Sequence, residues 1–205
     1  SNDPVLEEKS LELMKKCIEL AQDLGVRTIQ LAGYDVYYEE KSPQTRQRFI
    51  KNLRKACDWA EEAQVVLAIE IMDDPFINSI EKYLAVEKEI DSPYLFVYPD
   101  VGNVSAWHND VYSEFYLGHH AITALHLKDT YAVTESSKGQ FRDVPFGQGC
   151  VKWEEAFDIL KQTNYNGPFL IEMWSENCET VEETRAAIQE AQAFLYPLIK
   201  KAGLM

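Results

Sequence analysis

Cysteines and long apolar runs are scarce in this sequence. The four cysteines (Cys17, Cys57, Cys150 and Cys178) lie far apart without a C-x-x-C pair, which favours free thiols in a reducing compartment over disulfides or a zinc cluster. No apolar stretch approaches the roughly 18–20 residues of a membrane span, and the acidic opening SNDPVLEEKS lacks a signal-peptide pattern. We therefore expect a soluble, cytoplasmic protein.

Basic residues are also few. Lys and Arg number 20 against 34 Asp and Glu, which gives a formal net charge of −14. Nucleic acids and anionic membranes both need a basic surface on the protein that binds them, and no basic run with interleaved aromatic residues occurs. We therefore expect neither a nucleic acid nor a membrane as partner.

Strand and helix patterns alternate along the 205 residues, without a linker or a low-complexity stretch. The polar stretch 134–149 is predicted to be a loop. The predicted strands are RTIQLAG (27–33), VVLAIEIM (65–72), LFVYPD (95–100), ALHLKD (124–129) and PFLIEMW (168–174). The predicted helices begin at Asp3-Pro4, at Ser42-Pro43, at an Asn78/Glu81 capping box, near residues 110 and 152, and at a Thr180/Glu183 capping box.

This alternation predicts a single α/β domain, residues 1–205, in which a parallel sheet is covered by helices. A doubly wound sheet and a (β/α)8 barrel both fit the pattern. No G-x-G-x-x-G motif follows the first strand, so a dinucleotide-binding fold has no support. In the first helix, Leu6, Leu13, Cys17, Leu20 and Leu24 mark one face.

Four successive strands each carry one metal-competent side chain near the carboxyl end: Glu70, Asp100, His126 and Glu172. Because side chains alternate along a strand, these four share one face and the opposite face is left apolar for the helices. In a barrel they would converge at the C-terminal mouth. Three carboxylates at close range repel each other unless a cation lies among them, and this donor set suits Mn²⁺, Zn²⁺, Mg²⁺ or Co²⁺.

Each of these positions also has a simpler interpretation. A single acidic residue at a strand end is commonly a helix cap or faces a loop, and a lone strand histidine is commonly hydrogen-bonded in a core. Four such residues on consecutive strands favour a shared metal site. His119-His120 is expected at the surface, Asp73-Asp74-Pro75 in a turn, and Trp107 either in a pocket wall or in packing.

Several stretches resemble the bacterial L-ribulose-5-phosphate (L-xylulose-5-phosphate) 3-epimerases, which belong to the xylose-isomerase-like TIM barrels. They are QLAGYDVYYE (30–39), IEIMDDPFINS (69–79), YPDVGNVSAW (98–107), HLKDT (126–130), VPFGQG (144–149) and LIEMWSE (170–176). The resemblance implies a metal-dependent isomerase that inverts C3 of a pentulose 5-phosphate in ascorbate or pentose catabolism. It implies Glu70, Asp100, His126 and Glu172 as metal ligands, with the two glutamates also acting as the acid/base pair.

This chemistry is compatible with the residues themselves. The C3 proton lies alpha to the C2 ketone, and a metal at the ketone and C3 oxygens would stabilise the enediolate that forms when the proton leaves. Inversion needs a base on one face of C3 and an acid on the other. Glu70 and Glu172 come from different strands across the mouth, so we expect them on opposite faces.

The predicted substrate-binding set is Asn103, Trp107, Lys128, Gly147 and Gly149. Phe76 and Asn103 stand where related free-ketose 3-epimerases have an acidic residue and a histidine, which favours the phosphorylated-substrate branch. The glycines follow a barrel strand, where backbone amides often hold phosphate. Lys128 shares the face of His126, but it is equally suited to pair with a neighbouring carboxylate.

Only five barrel strands are predicted, whereas a complete barrel has eight strands and about 250 residues. Counted back from PFLIEMW as the eighth strand, RTIQLAG is the fourth, so we expect an incomplete barrel of strands four to eight. Such an arc has two open edges. We expect a chain that associates, as a homodimer, and that is inactive alone unless another segment or chain covers the opening.

Two other functions fit the same residues. A 1,2-aldose/ketose isomerase would use the same metal site but shift hydrogen between C1 and C2. A non-catalytic sugar-phosphate-binding fragment would bind without exchanging the C3 proton. A multi-zinc hydrolase is disfavoured, because it would need more histidines than the four present.

Overall fold

The computed structural model describes all residues, Ser1–Met205. No helix is both long enough and apolar enough to cross a membrane. The helices are α1 (Pro4–Leu24), α2 (Pro43–Ala63), α3 (Ile80–Ile90), α4 (Val101–Ala106), α5 (Val111–Gly118), α6 (Trp153–Gln162) and α7 (Val181–Ala202), with a short 3₁₀ turn at His119–Ala121. The strands are β1 (Thr28–Ala32), β2 (Val66–Glu70), β3 (Leu95–Tyr98), β4 (Leu125–Leu127), β5 (Asp129–Tyr131), β6 (Gln140–Val144) and β7 (Phe169–Ile171).

Capping side chains fix where most helices begin. Asp3, Ser42 and Thr180 each accept a hydrogen bond from a backbone amide in the first turn of α1, α2 and α7, as their positions in the sequence predict. The predicted Asn78/Glu81 capping box is wrong. The N-cap of α3 is Ser79, whose side chain accepts from the Lys82 amide.

Five parallel strands form one curved arc. Strands β1, β2 and β3 pair in parallel in that order, and β4 pairs in parallel with β7. Parallel bridges from Val97 to Ile122 and from Asp100 to His126 connect the two groups. The order β1-β2-β3-β4-β7 is therefore that of a barrel segment in which each strand lies beside its predecessor in the arc, as the incomplete-barrel prediction requires.

The two faces of the arc are packed differently. The outer face and the helices share a continuous core of 35 buried residues, including Leu67, Ile69 and Leu127. The inner face has only a small apolar cluster, formed by Ala68, Tyr98 and Ala124. The alternation of side chains along each strand thus separates an apolar outer layer from an inner surface that becomes polar towards the carboxyl ends of the strands.

Strands β5 and β6 and helix α4 were not predicted. The stretch 134–149 is not entirely loop, because β6 pairs antiparallel with β5 and places Asp129 opposite Val144. The sequence QFRDV is too polar to stand out as a strand and is held by this hairpin partner. Helix α4 follows β3 directly and begins from Asp100 as its N-cap.

The open edges carry exposed apolar side chains. Leu6, Leu13, Leu20 and Leu24 of α1 are between 48% and 68% exposed. The buried residues of this helix are Ile18 and Ala21 instead. At the other edge, Leu170 in β7 is 51% exposed. An arc that does not close leaves both of its ends uncovered, as we expect for five barrel strands.

Candidate metal and catalytic centre

The four predicted ligand residues come together at the carboxyl ends of the strands. Glu70 ends β2, Asp100 follows β3 and caps α4, His126 lies within β4, and Glu172 directly follows β7. One ligand atom from each residue lies within 4.8 Å of the others. The backbone amide of Glu172 donates to the Leu127 carbonyl, which fixes the turn of chain that carries this carboxylate.

His126 lies at the centre of the group. Its Nδ1 is 2.8 Å from Glu70 Oε1, 2.9 Å from Glu172 Oε2 and 3.9 Å from Asp100 Oδ2. A single ring N–H cannot donate to three carboxylates. Nδ1 therefore occupies a point of convergence, which is the geometry a nitrogen ligand needs beside oxygen ligands of the same ion.

Charge is balanced within the cluster. Burial disfavours the imidazolium of His126, but the carboxylates of Glu172 and Glu70 beside the ring outweigh it and raise the pKa of His126 to about 9. Burial raises the pKa of Asp100 to about 8, against the lowering effect of the Lys128 ammonium. Burial opposes ionisation of Glu172 too, yet the nearby His126 ring and the charge of Lys128 hold its pKa below the usual range. The carboxylates thus draw positive charge to His126 and Lys128, and a metal ion would take the place of the proton on His126.

Two further donors lie on the outer sides of the glutamates. Gln30 Nε2 donates to Glu70 Oε2 at 2.6 Å. Lys128 Nζ lies 3.0 Å from Glu172 Oε1 and 3.0 Å from Asp100 Oδ2. Lys128 therefore pairs with carboxylates, which is the alternative that its sequence position left open.

The donor set fits a divalent cation. Asp100 Oδ2 and Glu172 Oε2 are buried and accept no aligned hydrogen bond, although each lies near a cationic nitrogen. Buried carboxylate oxygens without hydrogen-bond donors are costly unless a cation neutralises them. With Glu70 as the third carboxylate and His126 as the imidazole nitrogen, they form a set that Mn²⁺, Zn²⁺, Mg²⁺ and Co²⁺ all accept.

An open cavity of about 570 Å³ lies above the cluster. The lining includes two of the predicted substrate-binding residues, Asn103 and Lys128. It also includes Asp73, which the sequence predicted only as part of a turn, and residues that the sequence did not single out: Gln30, Tyr34, Arg142 and Trp174. Tyr34 donates a short hydrogen bond to Asp73, and the Arg142 guanidinium lies 3.8 Å from the centre of the Trp174 ring. Gln30 and Arg142 lie within strands and the others in loops, so no shared local pattern indicates them.

Asn103 connects the site to α4. Its backbone amide donates to Asp100 Oδ1 at 2.8 Å and its side-chain amide donates to the Ile71 carbonyl at 2.9 Å. Its Oδ1 atom is buried without a partner. Trp107, in contrast, does not line this cavity and packs near Phe141, with 6.1 Å between ring centres.

The two glycines predicted to bind phosphate are engaged elsewhere. The amides of Gly147 and Gly149 donate to Asp129 Oδ2 at 2.8 and 3.1 Å. The amide of Val151 donates to Oδ1 of the same buried carboxylate at 3.3 Å. Backbone amides do gather in this loop, as the sequence suggested, but an internal carboxylate occupies them. The geometry therefore does not support a phosphate at these glycines.

Comparison with known proteins places the chain in a family. It is 46% identical to L-ribulose-5-phosphate 3-epimerase UlaE of Escherichia coli O157:H7 over 205 residues, which are all of this chain and 69% of UlaE. It is 51% identical to SgbU of Haemophilus influenzae, which is provisionally named L-ribulose-5-phosphate 3-epimerase, over the whole chain and 71% of SgbU.

Solved structures with the same fold share less sequence. An L-ribulose 3-epimerase has a TM-score of 0.78 at 20% identity, over 98% of this chain and 71% of that one. A xylose isomerase-like TIM barrel protein from Mycobacterium smegmatis, in complex with magnesium, has a TM-score of 0.71 at 20% identity, over 99% of this chain and 70% of that one. At these identities the likeness shows the fold alone.

The profile of the family described as xylose isomerase-like TIM barrel matches residues 1–198. The family and the incomplete barrel predicted from the sequence are thus confirmed. The chain belongs to the xylose isomerase-like TIM barrel family and, within it, to the group of proteins named L-ribulose-5-phosphate 3-epimerase.

Proposed function

We propose that this chain carries the catalytic face of a metal-dependent isomerase that interconverts L-ribulose 5-phosphate and L-xylulose 5-phosphate by inverting C3. The observation that carries the proposal is the convergence of Glu70, Asp100, His126 and Glu172, whose ligand atoms lie within 4.8 Å of one another. The names of the relatives that match over the whole chain support the choice of substrate and of carbon atom.

Glu70 and Glu172 are the proposed acid/base pair. They reach the cluster from β2 and from the end of β7, and they approach His126 Nδ1 at 2.8 and 2.9 Å. Both also line the cavity in which a sugar would lie. One glutamate removes the C3 proton from one side and the other returns a proton to the opposite side, so the configuration at C3 inverts.

Asp100 and His126, together with the two glutamates, are the residues that would hold the metal. When bound, a divalent ion supplies positive charge that makes the proton next to the ketone more acidic. Mn²⁺, Zn²⁺, Mg²⁺ and Co²⁺ all suit three carboxylates and one imidazole. The magnesium in the structurally similar Mycobacterium smegmatis protein is compatible with this set.

The remaining residues bind and shape the site. Asn103 and Lys128 line the cavity, so we retain both as substrate-binding candidates. Lys128 also neutralises Asp100 and Glu172, from which it is 3.0 Å distant. No residue of the cluster itself separates inversion at C3 from a shift of hydrogen between C1 and C2, and the names of the relatives are what favours the 3-epimerase over the 1,2-isomerase.

Proton NMR of L-ribulose 5-phosphate in D₂O, with the chain and Mn²⁺, tests this proposal. We expect deuterium at C3 and the appearance of L-xylulose 5-phosphate. Deuterium at C1 alone would show that the chain is a 1,2-isomerase and not a 3-epimerase. No incorporation at any carbon, with Mn²⁺ shown to be bound, would identify the chain as a non-catalytic fragment.

Two matched reactions make the result specific. The same mixture with EDTA is expected to show no exchange, because the acidity of the C3 proton depends on the metal. Glu176→Gln changes an exposed glutamate four residues beyond Glu172 and is expected to exchange at the rate of the unaltered chain. Homodimer formation and a cytoplasmic location remain predictions, and the exposed leucines of α1 favour association.

A further inference from the structure

We propose that Gln30 is a positioning residue for the acid/base pair, fixing the Glu70 carboxylate from the side opposite His126. This inference rests on the proposed function and extends it to a residue outside the four-residue cluster. Gln30 lies in β1 and is not one of the four candidate ligands. Its amide nitrogen, which donates to Glu70 Oε2 at 2.6 Å, faces the cluster.

Strand register places Gln30 for this contact. In the parallel pairing of β1 with β2, Gln30 is opposite Ala68 and Ala32 is opposite Glu70. Residues two positions apart share a face of a strand, so Gln30 and Glu70 both point into the cavity, one level apart. The Gln30 side chain extends along the strand by the length of two residues, to the position of Ala32, and there contacts the Glu70 carboxylate.

The Glu70 carboxylate is then held at both oxygens. Oε1 lies 2.8 Å from His126 Nδ1, and Oε2 accepts from Gln30. His126 and Gln30 come from different strands, β4 and β1. A metal on Nδ1 would hold Oε1 in place of the ring N–H, so Gln30 fixes Oε2 in either case. A carboxylate fixed at two oxygens cannot rotate freely, and a proton acceptor must be held within hydrogen-bond reach of the carbon acid to act.

Glu172 has a cationic nitrogen near each of its oxygens, but only Lys128 donates a hydrogen bond to it. Its Oε2 lies 2.9 Å from His126 Nδ1 and its Oε1 lies 3.0 Å from Lys128 Nζ. Each glutamate therefore lies next to His126 and has one outer donor of its own. Gln30 and Lys128 act on different members of the pair, so loss of either donor should affect one proton transfer more than the other.

The contact itself is tested by NMR of the glutamine side-chain amides, without any turnover. Gln30 signals, assigned from their loss in Gln30→Met, are expected to move when Glu70→Ala removes the acceptor. Gln22 is the matched control, because its Nε2 donates to the Ala63 carbonyl far from the site, and its signals should stay in place. Gln30 signals that do not respond to Glu70→Ala would overturn the proposal.

The catalytic consequence is tested by isotope effects measured with each epimer carrying deuterium at C3, at saturating Mn²⁺. Gln30→Met is expected to lower kcat about 10–100-fold, as changes in outer-shell partners do. Slower transfer at Glu70 makes that step rate-limiting in both directions. The isotope effect should therefore rise for the epimer whose C3 proton faces Glu70 and fall towards 1 for the other epimer.

Lys128→Met removes the outer donor of Glu172 instead. In this variant the isotope effect should rise for the epimer whose C3 proton faces Glu172 and fall towards 1 for the epimer whose C3 proton faces Glu70. General damage to the site would slow both transfers and leave the two isotope effects as in the unaltered chain, and that result would overturn the positioning role. Absence of C3 exchange by the unaltered chain would instead overturn the proposed function, and with it a catalytic role for Gln30. The NMR experiment would still decide whether the contact exists.

Discussion

Alternate residues of β2 have different roles: those on the outer face stabilise the fold, and those on the inner face form the candidate site. Leu67 and Ile69 of β2 are fully buried between the arc and its helices, while Ala68 and Glu70 face the cavity. The outer face gains stability from the removal of apolar area from water. The inner face gathers carboxylates that repel each other and that need His126, Lys128 and a metal to offset their charge.

The comparison shows why an acidic residue is tolerated in an apolar run such as VVLAIEIM. Glu70 is only 6% exposed, and a buried carboxylate is costly unless it is paired. Its position at the end of β2 gives it a partner on each side, Gln30 from the neighbouring β1 and His126 from β4, two strands away. Stability and chemistry are thus assigned to alternate residues, and each can be changed separately.

Glu172→Gln, on the inner face, should have the largest effect of all on the exchange rate at C3, with little effect on stability. Removal of one acid/base group typically costs 10²- to 10⁴-fold in rate, so we expect deuterium incorporation at C3 to fall by about that factor. The thermal midpoint should change little, because the substitution preserves the side-chain volume. Exchange rates are measured by proton NMR, and a rate like that of the unaltered chain would remove Glu172 from the catalytic pair.

Leu67→Ala tests the outer face. Leu67 is fully buried, and truncation of a buried leucine costs about 2–5 kcal/mol of unfolding free energy. Urea denaturation measures the loss, and Mn²⁺ affinity per folded molecule should be unchanged. Weaker Mn²⁺ binding by the folded fraction would show that the two faces are coupled.

The strands and the four cluster residues were predictable because they depend on local pattern. A parallel strand buried on its outer face needs apolar residues, and the alternation of side chains then places Glu70, Asp100, His126 and Glu172 on one side. Helix starts at Asp3, Ser42 and Thr180 were equally visible, because a cap acts within one turn.

The features that the sequence did not reveal depend on distant partners. Gln30 matters through Glu70, forty positions away, and β6 exists as a strand only because β5 pairs with it. The glycines in VPFGQG resemble a phosphate-binding loop in sequence. In the structure, Asp129 accepts hydrogen bonds from their amides. The local sequence pattern predicts that backbone amides gather in this loop, but it does not show whether a phosphate or a side chain of the protein accepts their hydrogen bonds.

Metal binding should raise the unfolding free energy by an amount between the effect of Leu67→Ala and the effects of the substitutions described below. A ligand at 100 times its dissociation constant adds about 2.7 kcal/mol to the unfolding free energy when only the folded state binds it. We expect Mn²⁺ to raise the thermal midpoint accordingly. The increase should be lost in Asp100→Asn, which removes a charged oxygen and keeps a side chain able to cap α4. An equal increase in that variant would exclude Asp100 as a ligand.

The Asp129 loop is a smaller test, because it separates a structural carboxylate from a phosphate site. Asp129→Asn places a donor among the amides of Gly147, Gly149 and Val151, and an unsatisfied buried group costs about 1–3 kcal/mol. Asp143→Asn, at an exposed position of the same hairpin, should cost almost nothing. Inorganic phosphate should leave the amide NMR signals of Gly147 and Gly149 unchanged, and a saturable shift would restore the phosphate assignment.

The smallest change in stability is expected at the open edge, on α1. Leu13 and Leu20 are each 55% exposed, so serine at both positions should alter the unfolding free energy by about 0.5 kcal/mol or less per site. An exposed apolar stripe promotes association, and sedimentation velocity should therefore show a shift towards monomer in the double variant. Ile18→Ser, on the buried side of the same helix, should instead lower stability. If the leucine variant associates as the unaltered chain does, the contact between chains lies elsewhere, and the strand edges at β1 and β7 are the next surfaces to test.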